Sequence, residues 1–267
     1  RLTFQLEKLQ QANKQSQLVM VTDPTTGHAR MVVDEFVSKF GGRQLVYEPL
    51  ESNVLASAIE NVFGQKRVPD FDIENSSYIL SFGADFLSTW ISPVRYARSY
   101  GEFRQGTRPR GRLIHVDSRF STTAANADEW FHVNPGTEGL LALSIAQVIV
   151  SKGLGDINGV EALTGGDSKR LGAFAPSIIA GRISDAFSND EIVSKIHAIA
   201  EEFISSDSSL AIGGGSSSAH TNGLFNLTAI YSLNHLVGNI GQPGGIIFNP
   251  DPPLKSLSNT STTSPFK

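Results

Sequence analysis

Between Tyr78 and Val150 the chain repeats one grammar: a short apolar run, then a stop at a small or acidic residue. Tyr78-Ile79-Leu80 runs into Ser81-Phe82-Gly83, and Leu113-Ile114-His115-Val116 runs into Asp117-Ser118-Arg119. A third stop, Asn134-Pro135-Gly136-Thr137-Glu138-Gly139, opens a long apolar helix. In open α/β sheets, ligands lie at the carboxyl ends of strands, where backbone N–H groups and helix N-termini converge. Three such stops so close together predict a nucleotide-shaped crevice, present or ancestral.

The rest of the chain fits around this stretch. Residues 1–16 read as a polar helix with Leu2, Leu6 and Leu9 on one side, and residues 17–21 as a strand ending at Thr22-Asp23-Pro24-Thr25-Thr26-Gly27. Ala29, Val32, Val33, Phe36, Val37 and Phe40 have helical spacing, with Gly41-Gly42 as the stop. A strand over 44–47 and a helix over 54–63 follow, then an extended link from Pro69. Strand–helix–strand–helix order argues for a parallel, doubly wound sheet. Helices are predicted around Pro93 to Tyr100, over Thr122 to Asp128, from Thr137, and from Asn189 to Ser205. A strand at Ser209 to Ile212 runs into GGGSSSAHTNG, followed by a helix from Leu224 to Val237.

The predicted fold class is α/β: two doubly wound Rossmann-like domains, one inserted in the other. Residues 1–65 and 185–248 would share one sheet, and residues 70–165 would form the inserted dinucleotide-binding-like domain. The Gly-, Ala- and Ser-rich segment 166–184 is assigned to a linker, and 249–267 to a mobile tail.

Composition removes several functions. The net charge is −4, so there is no general footprint for nucleic acid. The absence of cysteine excludes disulfides, Cys-ligated iron–sulfur clusters and thiol catalysis within these residues. The longest apolar run, Leu140 to Val150, is too short and too polar to span a bilayer, and no signal peptide is visible. Because the first residue is Arg, the chain is expected to begin inside a longer polypeptide. Neither GxSxG, clustered Cys/His nor HxxxH occurs, and the Gly83 segment is not GxGxxG.

Each candidate residue has two readings. Gly83 either lets a backbone approach a phosphate or only makes a turn. Asp117 accepts from ribose hydroxyls and Arg119 holds a phosphate, or the two form a local pair. Thr137 and Glu138 are an ordinary helix start, or Glu138 accepts from a guanine edge. Gly213, Gly214 and Ser216 belong to a nest of anion-binding donors or to a loop that packs on a neighbouring backbone. His220 and Asn222 contact a ligand or bond structurally. Arg95, Arg98, Arg104, Arg108, Arg110 and Arg112 dock an acidic partner or form a solvated loop.

Taken together, SFGADFLSTW, HVDSRFSTTAANADEW, NPGTEGLLALSIA and SLNHLVGNIGQPGG resemble the molybdopterin oxidoreductase superfamily over residues 15–248. The resemblance implies its central domains, which bind molybdopterin guanine dinucleotide. Gly83, Asp117, Arg119, Thr137 and Glu138 would line the dinucleotide crevice, and Gly213, Gly214, Ser216 and Asn222 the facing loop of the other sheet. GADFLSTWISPVRYARSYGEFRQG and GGGSSSAHTNG are most similar to the large iron–sulfur subunit of alternative complex III. Two departures accompany that branch: Asp85 stands where the superfamily has Asn, and Glu138 where it has Asp. An acid at Asp85 would repel phosphates.

The resemblance therefore implies a cofactor-free scaffold domain in a membrane-bound quinol:electron-acceptor oxidoreductase, with no catalytic residue and no metal site here. Iron–sulfur clusters are expected elsewhere in the full subunit. The partners would be an integral-membrane quinol-binding subunit, a multihaem cytochrome c subunit and a ferredoxin-like iron–sulfur domain, with no nucleic acid. The place would be the periplasmic face of the complex. The alternative is a fragment of a catalytic molybdenum or tungsten oxidoreductase with bound molybdopterin guanine dinucleotide. A third expectation is an independent nucleotide-binding domain of another class.

Overall fold

Apolar runs that become strands buried on both faces must be covered by helices on both sides. The computed structural model, which describes residues 1–250 apart from 24, 26, 48–51, 66 and 106–108, builds this arrangement once in full and once in part. The chain divides into two units, Arg1–Ser52 and a second from Asn53 onward. The first contains α1 (Leu2–Gln11), β1 (Val19–Thr22), α2 (Gly27–Phe40) and β2 (Arg43–Val46). β1 and β2 are parallel, with Val19 opposite Arg43 and Thr22 opposite Val46. Gly41 ends α2 at φ +86°, a conformation that side chains resist.

α3 (Ser52–Phe63) leads into the second unit. There β3 (Asp70–Phe71), β4 (Tyr78–Phe82), α4 (Pro93–Gln105), β5 (Arg112–Asp117), α5 (Thr122–Asn126) and β6 (Glu129–His132) follow. Next come α6 (Glu138–Ser151), α7 (Ile157–Thr164), α8 (Pro176–Ile183), α9 (Asn189–Ser205), β7 (Ser209–Gly213), α10 (Gly223–Leu236) and β8 (Ile246–Ile247). β3 and β8 form a small antiparallel pair, and the main sheet has the order β6-β5-β4-β7, all parallel. Every residue of β4 and β7 is buried. α6 is apolar around most of its circumference and packs against α9 and α10. α9 begins with a capping box between Ser188 and Glu191 and buries Ile192, Ile196, Ile199 and Phe203 along one face. No helix among the described residues is long and apolar enough to cross a membrane.

The expected division of the chain needs two corrections. First, β7 does not share a sheet with β1 and β2. It pairs with β4 from Tyr78↔Ser209 to Phe82↔Gly213. The entry of this pair is locked by Ser77, whose N–H donates to the Ser208 carbonyl at 2.8 Å while its Oγ accepts from Ser208 N–H at 2.9 Å. The outer edge of β7 is closed by side chains. Asn239 Nδ2 donates to Ser209 O at 2.8 Å, and Asn234 accepts from Ala211 N–H and donates to Ala211 O, both at 2.9 Å. Tyr231 Oη donates to Gly213 O at 2.6 Å. A strand edge satisfied in this way needs no further neighbour.

Second, the segment 166–184 is packed structure rather than a linker. Asp156 caps α7 by accepting from Gly159 N–H at 2.9 Å, and Gly165 ends that helix at φ +62°. A tight turn over Ser168–Phe174 and α8, with Pro176 in its first turn, then bury Leu171, Ile179, Ala180 and Ile183. Of the expected tail, residues 251–267 lie outside the described residues.

The closure of the β7 edge can be measured. Asn234→Leu keeps the γ-branched shape of the side chain but leaves Ala211 N–H and C=O unpaired and buried. The expected cost is about 1–3 kcal/mol for each orphaned group, read as a lower urea midpoint. An unchanged midpoint would contradict the edge-sealing role.

Candidate functional site

The strand order places β4 where the connections reverse: β5 and β6 lie to one side and β7 to the other. The gap beyond the carboxyl ends of β4 and β7 is thus a topological switch point, the usual ligand crevice of open α/β sheets. Gly83, Asp117, Gly213, Gly214 and Ser216 meet there. Thr137, Glu138 and Asn222 lie beside them, at the N-termini of α6 and α10. Gly213 therefore ends, and Gly214, Ser216 and Asn222 follow, the neighbouring strand of the same sheet, not a strand of another sheet.

The first wall is a backbone contact. Gly83, at φ +63°, donates its N–H to Val116 O at 2.8 Å. A Cβ at this position would lie 2.4 Å from Ser216 Oγ, 2.7 Å from Gly214 O and 2.8 Å from Ser217 N. Only glycine allows the loop after β7 to come so close. That loop is pinned to β4, since Gly214 N–H donates to Phe82 O at 3.1 Å and Ser217 Oγ donates to the same oxygen at 3.0 Å.

Asp117 closes the second wall. It has no solvent exposure, and its Oδ1 accepts from Ser216 Oγ at 2.9 Å and from Arg119 N–H at 3.1 Å. Its Oδ2 makes no hydrogen bond and lies 3.5 Å from His115 Nε2. The His115 ring is itself held between Ser81 Oγ at 3.1 Å and Ser121 Oγ at 3.2 Å. Burial pushes the Asp117 pKa up, but the His115 imidazole, the Arg119 N–H and the Ser216 hydroxyl outweigh it and hold the carboxyl below its ordinary range.

Thr137 Oγ1 turns away from the crevice and donates to Asn134 O at 2.7 Å and Ile183 O at 3.1 Å. Glu138 is fully buried, with Oε2 accepting from Asn226 Nδ2 at 3.2 Å and Oε1 unbonded. Desolvation is the main cause that raises its pKa, and the nearby Asp117 charge adds to it. Asn222 Nδ2 donates to Gly136 O at 2.8 Å. Asn226, which sequence reasoning passed over, ties the site together. It donates to Ser217 O at 3.1 Å and accepts from Gly139 N–H at 3.2 Å. Its one signal in the sequence is a polar residue four positions after Asn222, set between the apolar Phe225 and Leu227.

Asp85 and Arg119 form the rim. Asp85 Oδ1 accepts from Thr123 N–H at 3.1 Å and Thr123 Oγ1 at 2.7 Å, so the carboxylate faces the start of α5. Its Oδ2 lies 3.5 Å from Arg119 Nη2. The Arg119 side chain is 69% exposed, which makes this a weak, screened pair. Of the arginine group, Arg95 pairs with Asp70, Arg104 and Arg110 with Asp128, and Arg112 with Glu129 and Glu202. Arg108 lies outside the described residues. Most of this positive charge is thus met by the chain's own acids. Among the described residues, no group of three or more His, Cys, Asp or Glu side chains could hold a metal ion.

The raised pKa of Glu138 gives a pH test. An acid whose folded pKa exceeds its unfolded value, near 4.5, adds stability that is complete below that pH and lost as pH rises through the folded pKa. Glu138→Gln removes this loss. Thermal melts should therefore fall less between pH 5 and pH 8 in the variant than in the parent; parallel curves would contradict the assignment.

A family model described as molybdopterin oxidoreductase matches residues 4–261. The chain is 24% identical over 250 residues to the menaquinone reductase, molybdopterin-binding-like subunit of Nitratidesulfovibrio vulgaris (strain Hildenborough), covering 90% of this chain and 33% of the relative. It is 30% identical over 224 residues to the probable dimethyl sulfoxide reductase chain YnfF of Escherichia coli (strain K12), covering 77% of this chain and 27% of the relative. The acetylene hydratase from Pelobacter acetylenicus shares the fold, with a TM-score of 0.62 at 17% identity over 89% of this chain and 32% of that one. The chain thus spans about a quarter to a third of the length of these relatives. A mixed α/β fold with parallel sheets and a family match over most of the chain lead to one assignment: this chain belongs to the molybdopterin oxidoreductase family.

Proposed function

We propose that these residues form a redox-silent scaffold domain within a quinol:electron-acceptor oxidoreductase of the alternative complex III type. The observation that carries this reading is the burial of Asp117 and Glu138 with no solvent exposure. A receptor for guanosine needs its acceptor oxygens at the surface of the crevice. Here Ser216, Gly83 and Asn226 fold over them. The similarity to a molybdopterin-binding-like subunit of a menaquinone reductase supports the same reading. With no cysteine in the chain, the iron–sulfur wire would run through another part of the subunit. The domain would hold that ferredoxin-like part against a quinol-binding membrane subunit and a multihaem cytochrome c, on the periplasmic face.

A second reading rests on Asp117 Oδ2 and Glu138 Oε1, which are buried without hydrogen bonds. Two unpaired acceptors at a switch point suit the donors of a guanosine. If the loop after β7 opens, Asp117 would hold ribose hydroxyls, Glu138 the guanine edge and Arg119 a phosphate. Molybdopterin guanine dinucleotide would then supply metal-centred redox chemistry, and these residues would bind and orient its nucleoside half.

Titration with GDP, which carries guanine, ribose and a diphosphate, separates the two. The scaffold reading expects no calorimetric or thermal-shift response up to about 1 mM, a Kd weaker than about −4 kcal/mol of binding. A micromolar Kd that is lost in Asp117→Asn would overturn it and favour the second reading.

A further inference from the structure

We propose that segment 214–222 is a proton-controlled strap, which stays closed over the crevice while Glu138 carries a proton and opens when that proton leaves. The strap joins β7 to α10. Gly213, Gly214 and Gly215 stand at its start and Gly223 just beyond its end. Glycine at both ends supplies the backbone freedom that a hinge needs. Ala219, His220, Thr221 and Asn222 form its exposed outer half, while Ser217 and Ser218 are buried.

The strap covers both buried acids. Near its start, Ser216 Oγ donates to Asp117 Oδ1 at 2.9 Å. Near its end it lies on the turn that opens α6. There Asn222 Nδ2 donates to Gly136 O at 2.8 Å, and a Cβ on Gly136 would lie 3.7 Å from the His220 ring. Asn226 Nδ2 ties the strap to Glu138, donating to Ser217 O at 3.1 Å and to Glu138 Oε2 at 3.2 Å. Both hydrogens of that amide are then used. Asp117 and Glu138 are fully buried, and each keeps one oxygen without a hydrogen bond.

Two carboxylates in one dry frame are costly to charge together. Asp117 has the Ser216 hydroxyl, the Arg119 N–H and the His115 ring to hold its charge. Glu138 Oε2 meets a neutral amide, so the proton goes to Glu138. Two charged groups act on Glu138: Asp117 from the end of β5 and His220 from the strap. A charged His220 favours ionised Glu138 and so works against closure. On the helices packed around α6, Lys195 pairs with Glu129, Glu201 with Lys152 beyond the far end of α6, and Glu202 with Arg112. Arg182 of α8 is exposed. Opening moves Glu138 into water, where it titrates near 4.5. The closed form, with its raised pKa, therefore binds more protons than the open form. Closure is complete below pH 4.5 and weakens as pH rises through the closed-state pKa. None of this requires the crevice to bind a nucleotide, so failure of the strap would leave both readings of the crevice standing.

The test is hydrogen exchange, read by mass spectrometry on the intact full-length protein in its complex. After correction for intrinsic rates, opening of the strap peptide should rise at least about fivefold from pH 5 to pH 8. Peptides of β4 should stay at least about tenfold more protected at each pH, which separates strap opening from global unfolding. Opening that is flat with pH, or a strap that exchanges together with β4, would overturn the proposal. Glu138→Gln should hold the rise to within about twofold, and a rise that persists would overturn Glu138 as the carrier. Ser216→Ala, a milder change, covers the case in which that variant does not fold. It should raise opening at least about tenfold at every pH and keep the pH-dependent rise. Unchanged opening in Ser216→Ala would overturn the strap.

Discussion

Ser216 donates its hydroxyl to Asp117 across the end of β4, and this bond exists because Gly83 has no side chain in the way. Much of the carboxyl edge depends on it. The buried Asp117 charge is stable only with charge-assisted bonds, each worth about 1.5–3 kcal/mol. Two of them come from Ser216 and from the Arg119 N–H. Ser217 fixes the same loop to Phe82, and Asn226 continues the network from Ser217 to Glu138. Loops that follow four different strands are thereby held in one hydrogen-bonded frame.

A frame of this kind is rigid from the inside. Its polar groups face one another rather than a solvent-filled cleft, and the carboxyl at Glu138 has a raised pKa that limits the cost of burial. These features fit a domain whose work is to hold neighbours in place. The parallel α/β fold of the family is retained, and Asp117 Oδ1 and Glu138 Oε2 accept from the chain's own Ser216 and Asn226.

Local patterns were legible in the sequence, and non-local closure was not. The apolar runs ending at Phe82 and Asp117 identified β4 and β5, and the spacing of Ile192, Ile196, Ile199 and Phe203 identified α9. The stops after those runs named Gly83, Asp117 and Glu138 as neighbours in a crevice. The partner of β7 could not be read, because pairing is set by Asn234, Tyr231 and Asn239, which lie 18 to 30 residues from the groups they bond. α7 was hidden by Gly159, which reads as a breaker. Its bare Cα is needed for packing, since a Cβ there would lie 2.0 Å from His235 O. The sequence reads Asp85 as an acid that would repel phosphates. What it does not reveal is that the same carboxylate accepts from Thr123 N–H at the start of α5, because that partner lies 38 positions away.

The most direct test of the scaffold account is elemental and pterin analysis of the intact native complex, with iron and haem counted in the same sample. The account predicts iron and haem with neither molybdenum, tungsten nor pterin. Stoichiometric molybdenum or tungsten with pterin would contradict it and make this domain the nucleotide-binding core of a catalytic subunit.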